Sequence, residues 1–133
     1  MSILPLIVRI SATDWAEGGW HIEEAVKLSS ILKIKGVDLI DTSSGGILPI
    51  AKIPVGPGFQ VQFADRIKNE TGILTGAVRL ITEAQQAEDI ILKGQADLIL
   101  TARESLRDPH LALHFARTLG AVIAWPLQYS RAK

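Results

Sequence analysis

Arg103 follows the run Leu98-Ile99-Leu100-Thr101-Ala102, and Asp108-Pro109 comes shortly after it. The run is short, apolar and bounded by polar residues, the pattern of a buried strand. Asp108 reads as a helix cap and Pro109 as the first helical residue: Asp accepts orphan N–H bonds, and Pro has none to lose. The segment is therefore strand, loop carrying a cation, helix. In parallel α/β folds anions bind at such loops, where backbone N–H groups and helix N-termini converge. Arg103 is on this reading an anion ligand; the alternative is a solvated surface charge. Arg9 is the second candidate, inside the apolar run Leu4 to Ile10. A buried guanidinium needs a partner: Asp38 or Asp41 as a structural ion pair, or a bound anion.

The remaining reactive residues carry less. His110 and His114 are spaced i, i+4, which can place two ligands on one helix face. A site needs three or four, and no third ligand is in evidence, so no metal is expected. Asp14 and Glu17 could do acid–base work, but a solvated loop explains them as well. His21 reads as a surface residue near a helix start, and Trp15, Trp20 and Trp125 as core or interface. Cysteine is absent, which removes disulfides, thiolate metal sites and a Cys nucleophile together.

These residues must be positioned by a chain of 133 residues, 47% of them hydrophobic, with Lys+Arg and Asp+Glu equal at 14 each. That is enough for one domain with a real core. The charge balance gives no case for nucleic acid. The run Ile3 to Val8 is too short to span a membrane and follows no basic segment, so a cytoplasmic chain without membrane contact is expected. Strands are expected at Leu4–Ile10, Val37–Asp41, Ile73–Val78 and Ala96–Leu100. Helices are expected at His21–Lys33, Phe59–Glu70, Thr82–Lys93 (Thr82 with Gln85 as a capping box) and Pro109–Leu119. Gly36, Gly72, Gly94 and Gly120 serve as stops. Thr42 to Gly58 holds four Gly and three Pro, a long loop of the kind that is usually functional. Ala121 to Lys133 reads as an extended tail.

The order β-α-β-α-β-α-β-α implies a parallel sheet with right-handed crossovers. Its apolar strands are those of a sheet buried on both faces. Four βα units can form a small open sheet or half of an eight-stranded barrel, and periodicity does not choose between them.

A family resemblance does. Val8-Arg9-Ile10-Ser11-Ala12-Thr13-Asp14-Trp15, Gly36-Val37-Asp38-Leu39-Ile40-Asp41-Thr42-Ser43-Ser44-Gly45-Gly46 and Pro57-Gly58-Phe59-Gln60-Val61 are three of its stretches. Thr75-Gly76-Ala77-Val78, Ala96-Asp97-Leu98-Ile99, Arg103-Glu104-Ser105-Leu106-Arg107-Asp108-Pro109 and Gln128-Tyr129-Ser130-Arg131 complete the set. In these the chain resembles the C-terminal half of bacterial old yellow enzyme family members, the FMN-dependent NADPH dehydrogenases or ene-reductases. The resemblance implies strands five to eight of a (β/α)8 TIM barrel: a half-barrel over residues 1–119 and a tail over 120–133.

By the same resemblance FMN binds at the strands' carboxyl ends, with its phosphate in the last two loops, the general phosphate site of this barrel. Arg9 would lie beside the flavin's pyrimidine ring, where a fixed positive charge tunes the reduced cofactor. Arg103 would pair with the phosphate, beside Gly76, Val78, Arg79 and Ala102. Arg131 matches an arginine that reaches a neighbouring subunit's active site in one bacterial subgroup. At two of these positions the family pattern has Gly and this chain has Arg79 and Ala102. If a positive φ is needed there, a Cβ costs on the order of 1 kcal/mol or more. Arg79 then either compensates with its charge or blocks the site. The substrate-anchoring His pair and the proton-donating Tyr belong to the four preceding units and have no counterpart here. The expected function is thus an FMN-binding, NADPH-dependent oxidoreductase half with weak or no turnover alone. Two rivals stand beside it. One is a non-catalytic half-barrel that self-associates or pairs with a complementary chain. The other is a small open-sheet enzyme for a different phosphorylated ligand at Gly76 to Arg79 and Arg103.

Overall fold

A computed structural model describes residues 4–132. Met1 to Ile3 and Lys133, which the sequence reading includes in the half-barrel and tail, lie outside the described residues. One sheet of four parallel strands runs in chain order: β1 (Ile7–Ser11), β2 (Leu39–Ser43), β3 (Leu74–Val78) and β4 (Leu98–Leu100). Helices α1 (Ile22–Ile34), α2 (Val61–Thr71) and α3 (Ala84–Leu92) connect the strands. Short α4 (Arg103–Arg107), then α5 (Leu111–Thr118) and a 3-10 turn at Leu127–Ala132, follow β4.

Several boundaries differ from the sequence reading. β1 and β2 start later than expected because the Asp38 side chain intervenes: its Oδ2 accepts the Leu6 N–H at 2.7 Å, while Asp38 N donates to Leu6 O at 3.0 Å. Asp97 does the same two crossovers later, accepting the Thr75 N–H at 2.8 Å and Lys68 Nζ at 2.9 Å. Val37-Asp38-Leu39-Ile40 and Ala96-Asp97-Leu98-Ile99 are thus a repeated device that starts alternate strands. The Thr82–Gln85 capping box is not formed. Glu83 caps α3 with extended backbone, and it is Gln86 that reaches back to Thr82 N at 3.1 Å. Asp108 does not cap a helix beginning at Pro109. α5 begins after His110, and Asp108 Oδ1 accepts the His110 N–H at 3.0 Å in the turn before it. Arg103 to Arg107, expected as loop, is helical.

The core lies on one side of the sheet. Val8, Ile10 and Ile40 pack with Ala25, Val26, Phe63 and Ile67 of α1 and α2. Ala77 and Ile99 pack with Val61, Ala64, Ala87 and Ile90 of α2 and α3. The alternation of strand side chains sends Ile7, Arg9, Leu39, Asp41, Leu74, Gly76, Leu98 and Leu100 to the other face. There the expectation of burial on both faces holds only in part: Leu39 and Asp41 are buried, but Ile7, Leu74 and Leu98 are about half exposed. Fully parallel sheets are normally covered on both faces, so this partly bare face, with Ile7, Leu74 and Leu98 open to solvent, is the structural peculiarity of the chain.

Candidate functional site

The register places Arg9 opposite Asp41, Asp41 opposite Gly76, and Gly76 opposite Leu98. Asp41 therefore stands beside Arg9 on the bare face, and its Oδ2 accepts Arg9 Nε at 2.6 Å and Nη2 at 2.5 Å. Of the two acids offered by the sequence, Asp41 is the partner and Asp38 serves backbone. The Asp41 side chain is 6% exposed and that of Arg9 is 59% exposed. A buried carboxylate thus pins a guanidinium whose remaining surface is free, and Asp41 Oδ1 is buried without a hydrogen bond.

Arg9 borders a cavity of about 260 Å³ at the carboxyl ends of β3 and β4. Val78 to Thr82 form one wall, Leu100 to Glu104 and Arg107 the other. Arg107 is salt-bridged to Glu104, as Arg9 is to Asp41. Arg79 and Arg103 are exposed, and their side chains make no hydrogen bond or ion pair among the described residues. The two pairs cancel, which leaves two uncompensated guanidinium groups at one cavity, an arrangement suited to an anion.

The backbone separates the two positions that break the glycine pattern. Arg79 has φ 84° and the next residue, Leu80, φ 49°, both in the left-handed region. Ala102 has φ −126° and ψ −74°, outside the left-handed region that favours glycine. Only Arg79 carries the strain expected of a side chain in a glycine conformation. Gly76 is in β3, two residues before Val78 of the cavity wall, and does not line the cavity. A Cβ there would come within 2.2 Å of Leu100 Cδ1, so the glycine lets β4's leucine lie across β3.

The other candidates are elsewhere. Arg131 is in the final 3-10 turn and does not line the cavity. His114 Nδ1 is 2.5 Å from Asp108 Oδ2, a contact that holds the Asp108 carboxyl below its usual value, and His110 packs edge-on against Tyr129. Among the described residues no group of three His, Asp or Glu could hold a metal. Asp14 accepts the Trp20 N–H at 2.9 Å, a structural use, and Glu17 is exposed. His21 precedes α1 and donates its N–H to Glu24 Oε2 at 2.9 Å. Trp15 packs at 5.5 Å from Phe63 and donates to Ser44 Oγ at 2.9 Å.

Two glutamines escaped the sequence reading. Gln60 is fully buried and ties the long loop to β2 through Ser44 O and Oγ, at 2.8 and 2.7 Å. Gln86 supports the cavity wall through Leu80 O and Thr82 N. The only sequence signal for either is a polar residue at a position where the helix period calls for an apolar one.

Fold and cavity together define four parallel βα units with an arginine-lined cavity at the carboxyl end of the sheet. The chain matches the NADH:flavin oxidoreductase / NADH oxidase family over residues 2–120, and it belongs to that family. It is 50% identical over 128 residues to the NADPH dehydrogenase of Listeria monocytogenes serotype 4b (strain CLIP80459), covering 96% of this chain and 38% of that protein. The NADPH dehydrogenase of Halalkalibacterium halodurans gives the same identity and the same coverage. The chain thus spans well under half the length of these relatives. Among solved structures, a 2-naphthoyl-CoA reductase in complex with 2-naphthoyl-CoA superposes with a TM-score of 0.75 at 22% identity, over 88% of this chain and 18% of that one. The likeness is one of fold: four parallel βα units matching part of a TIM-barrel reductase. No helix among the described residues is long and apolar enough to cross a membrane.

Proposed function

We propose that this chain is the phosphate-binding side of an FMN-dependent NAD(P)H oxidoreductase of the old yellow enzyme type, corresponding to the C-terminal half of its barrel. The observation that carries this reading is the pair of unpartnered arginines, Arg79 and Arg103, at the carboxyl-end cavity. A phosphate monoester carries about −1.5 to −2 at neutral pH, which two uncompensated guanidinium groups match. The cavity is below the roughly 300–1,000 Å³ usual for small-molecule sites. It accommodates the phosphate end of FMN and leaves the ring system to be enclosed by something else.

When bound, FMN supplies hydride transfer from NAD(P)H to an activated alkene. This chain's own residues bind and orient. Arg103 and Arg79 hold the phosphate by charge-assisted hydrogen bonds. Arg9, fixed by Asp41, keeps a positive charge at the rim of the same cavity, where it favours an anionic ring. On this reading the substrate-anchoring and proton-donating groups belong to the other four units of the barrel, and weak or no turnover is expected of these residues alone.

The bare sheet face favours a second part of the proposal. Ile7, Leu74 and Leu98 expose apolar surface there, and among the described residues β1 and β4 each have one unpaired edge. Open edges and apolar patches are surfaces that proteins normally cover. Another half-barrel, a second copy or a complementary chain, closes the face and completes the site. Equilibrium dialysis against FMN tests the first part: saturable uptake, lost in Arg103→Ala, supports it, and no uptake by folded protein refutes it. NADPH oxidation with an activated alkene tests the second: full turnover by a monomer contradicts it.

A further inference from the structure

The four strands are parallel and lie in chain order, so the two open edges among the described residues belong to different strands, β1 and β4. Leu6 and Ala12 direct their N–H groups toward β2, to Asp38 Oδ2 and Ser43 O. Strand alternation therefore turns the backbone groups of Ile7, Arg9 and Ser11 to the β1 edge. On the far side Asp97 N donates to Thr75 O, which by the same alternation turns those of Leu98 and Leu100 to the β4 edge. A two-fold rotation about an axis parallel to the strands preserves strand direction. It sets β4 of each copy beside β1 of the other, twice, and closes eight parallel strands with no edge remaining. Charge and volume favour the same partner. Among the strand residues only Arg9 and Asp41 are charged, and they are paired with one another at 2.6 Å on this face. A second copy thus brings no unmatched charge against the first. With the ion pair, Ile7, Leu39, Leu74, Leu98 and Leu100 make seven side chains on the face. An eight-stranded barrel is filled by three layers of four, roughly six from each half.

We infer that the occupant of the partly bare face is a second copy of this chain, joined β4 to β1 at both seams in a closed two-fold barrel, and that each copy completes the other's cavity. This rests on the reading that another half-barrel covers the face, and it names which one. The cavity lies at the carboxyl ends of β3 and β4. In the pair, the loop leaving β1 of the other copy, residues 12–20, comes to lie beside it. The assembly therefore carries two equivalent cavities at one end, related by the two-fold axis, where a pairing with an unlike chain would carry one.

Sedimentation velocity of the full chain over a wide concentration range tests the inference. The expected species is a dimer, twice the 14.4 kDa of one chain. Ile7→Glu and Leu98→Lys each put a charge into the closed interior, and each is expected to weaken association about a hundredfold or more. Both positions are about half exposed in the single chain, so both variants fold, which urea denaturation checks. Mixing the two variants in equal amounts is expected to restore the dimer: one seam then sets the new charges near one another with opposite sign, and the other seam is native. Recovery on mixing cannot come from an effect on folding. A wild type that stays monomeric, variants that keep the wild-type mass, or a mixture that stays monomeric overturns the inference. So does a ladder of larger species, which would mean strand addition without closure. FMN uptake on the same samples separates this inference from the flavin reading. Uptake by a monomer leaves the flavin reading standing and overturns the closure, and a dimer with this mutational pattern but no uptake does the reverse.

Discussion

The Arg9–Asp41 pair joins a buried acid to an exposed base, and its two halves are expected to respond unequally to mutation. Asp41 is 6% exposed, its Oδ2 takes both Arg9 contacts, and its Oδ1 has no partner. Removing Arg9 strands that carboxylate beneath the neighbouring strands. Breaking a fully buried pair from one side costs about 3–5 kcal/mol. The Arg9 side chain is 59% exposed, so water reaches the vacated position, and about 2–3 kcal/mol is expected for Arg9→Met. Asp41→Asn leaves Arg9 free to turn into solvent and should cost about 1 kcal/mol or less. The double variant should cost less than the two singles summed, because Asn strands no charge. Urea denaturation followed by tryptophan fluorescence measures all three, since Trp15 packs on Phe63 in the core. An Arg9→Met cost equal to or smaller than that of Asp41→Asn would refute the reasoning, and Arg9 would then be a surface charge with an incidental neighbour.

Three further outcomes are expected. Leu74→Lys, on the bare face and 52% exposed, should cost little in folding yet abolish any self-association seen by light scattering; an unchanged oligomer would place the interface elsewhere. Gly76→Ala puts a Cβ 2.2 Å from Leu100 Cδ1 and should destabilise by about 1–2 kcal/mol, with most of the loss recovered in Gly76→Ala/Leu100→Ala; no recovery would locate the clash in the backbone. Arg66 holds Glu23 below its ordinary 4.5, and His114 holds Asp108 below 3.8. Depressed folded-state values mean that both carboxylates contribute stability above their ordinary pKa and lose it as pH falls through the lower folded values. Urea midpoints should therefore decline below about pH 4.5, and less steeply in Arg66→Ala.

The sheet was legible from the sequence because hydrophobic period and glycine stops agree. Gly36 and Gly72, expected to end helices, sit at φ 91° and 63° just past α1 and α2. Strand starts were misplaced because side chains of Asp38 and Asp97 substitute for ladder bonds, and pattern reading does not count side-chain acceptors. Asp108 and Thr82 read as caps two residues and one residue ahead of the observed caps, His110 and Glu83, since several polar residues in each turn could cap and only tertiary packing selects among them. The bare face was hidden for a different reason. A strand facing a barrel interior and one facing a second layer of helices present the same apolar residues, Leu39 and Leu74 among them. Arg9, Arg79 and Arg103 were legible as charges at strands and strand ends. What the sequence could not express was the left-handed turn and its glutamine strap, a geometry created by residues from three separate segments.

The central claim is that the arginine-lined cavity is a working flavin-phosphate site. Titrating the purified chain with FMN, following flavin fluorescence with light scattering on the same sample, tests it most directly. The account requires saturable binding by an associated species, lost in Arg103→Ala. A folded chain that shows no FMN binding at any concentration, whatever its oligomeric state, would contradict it.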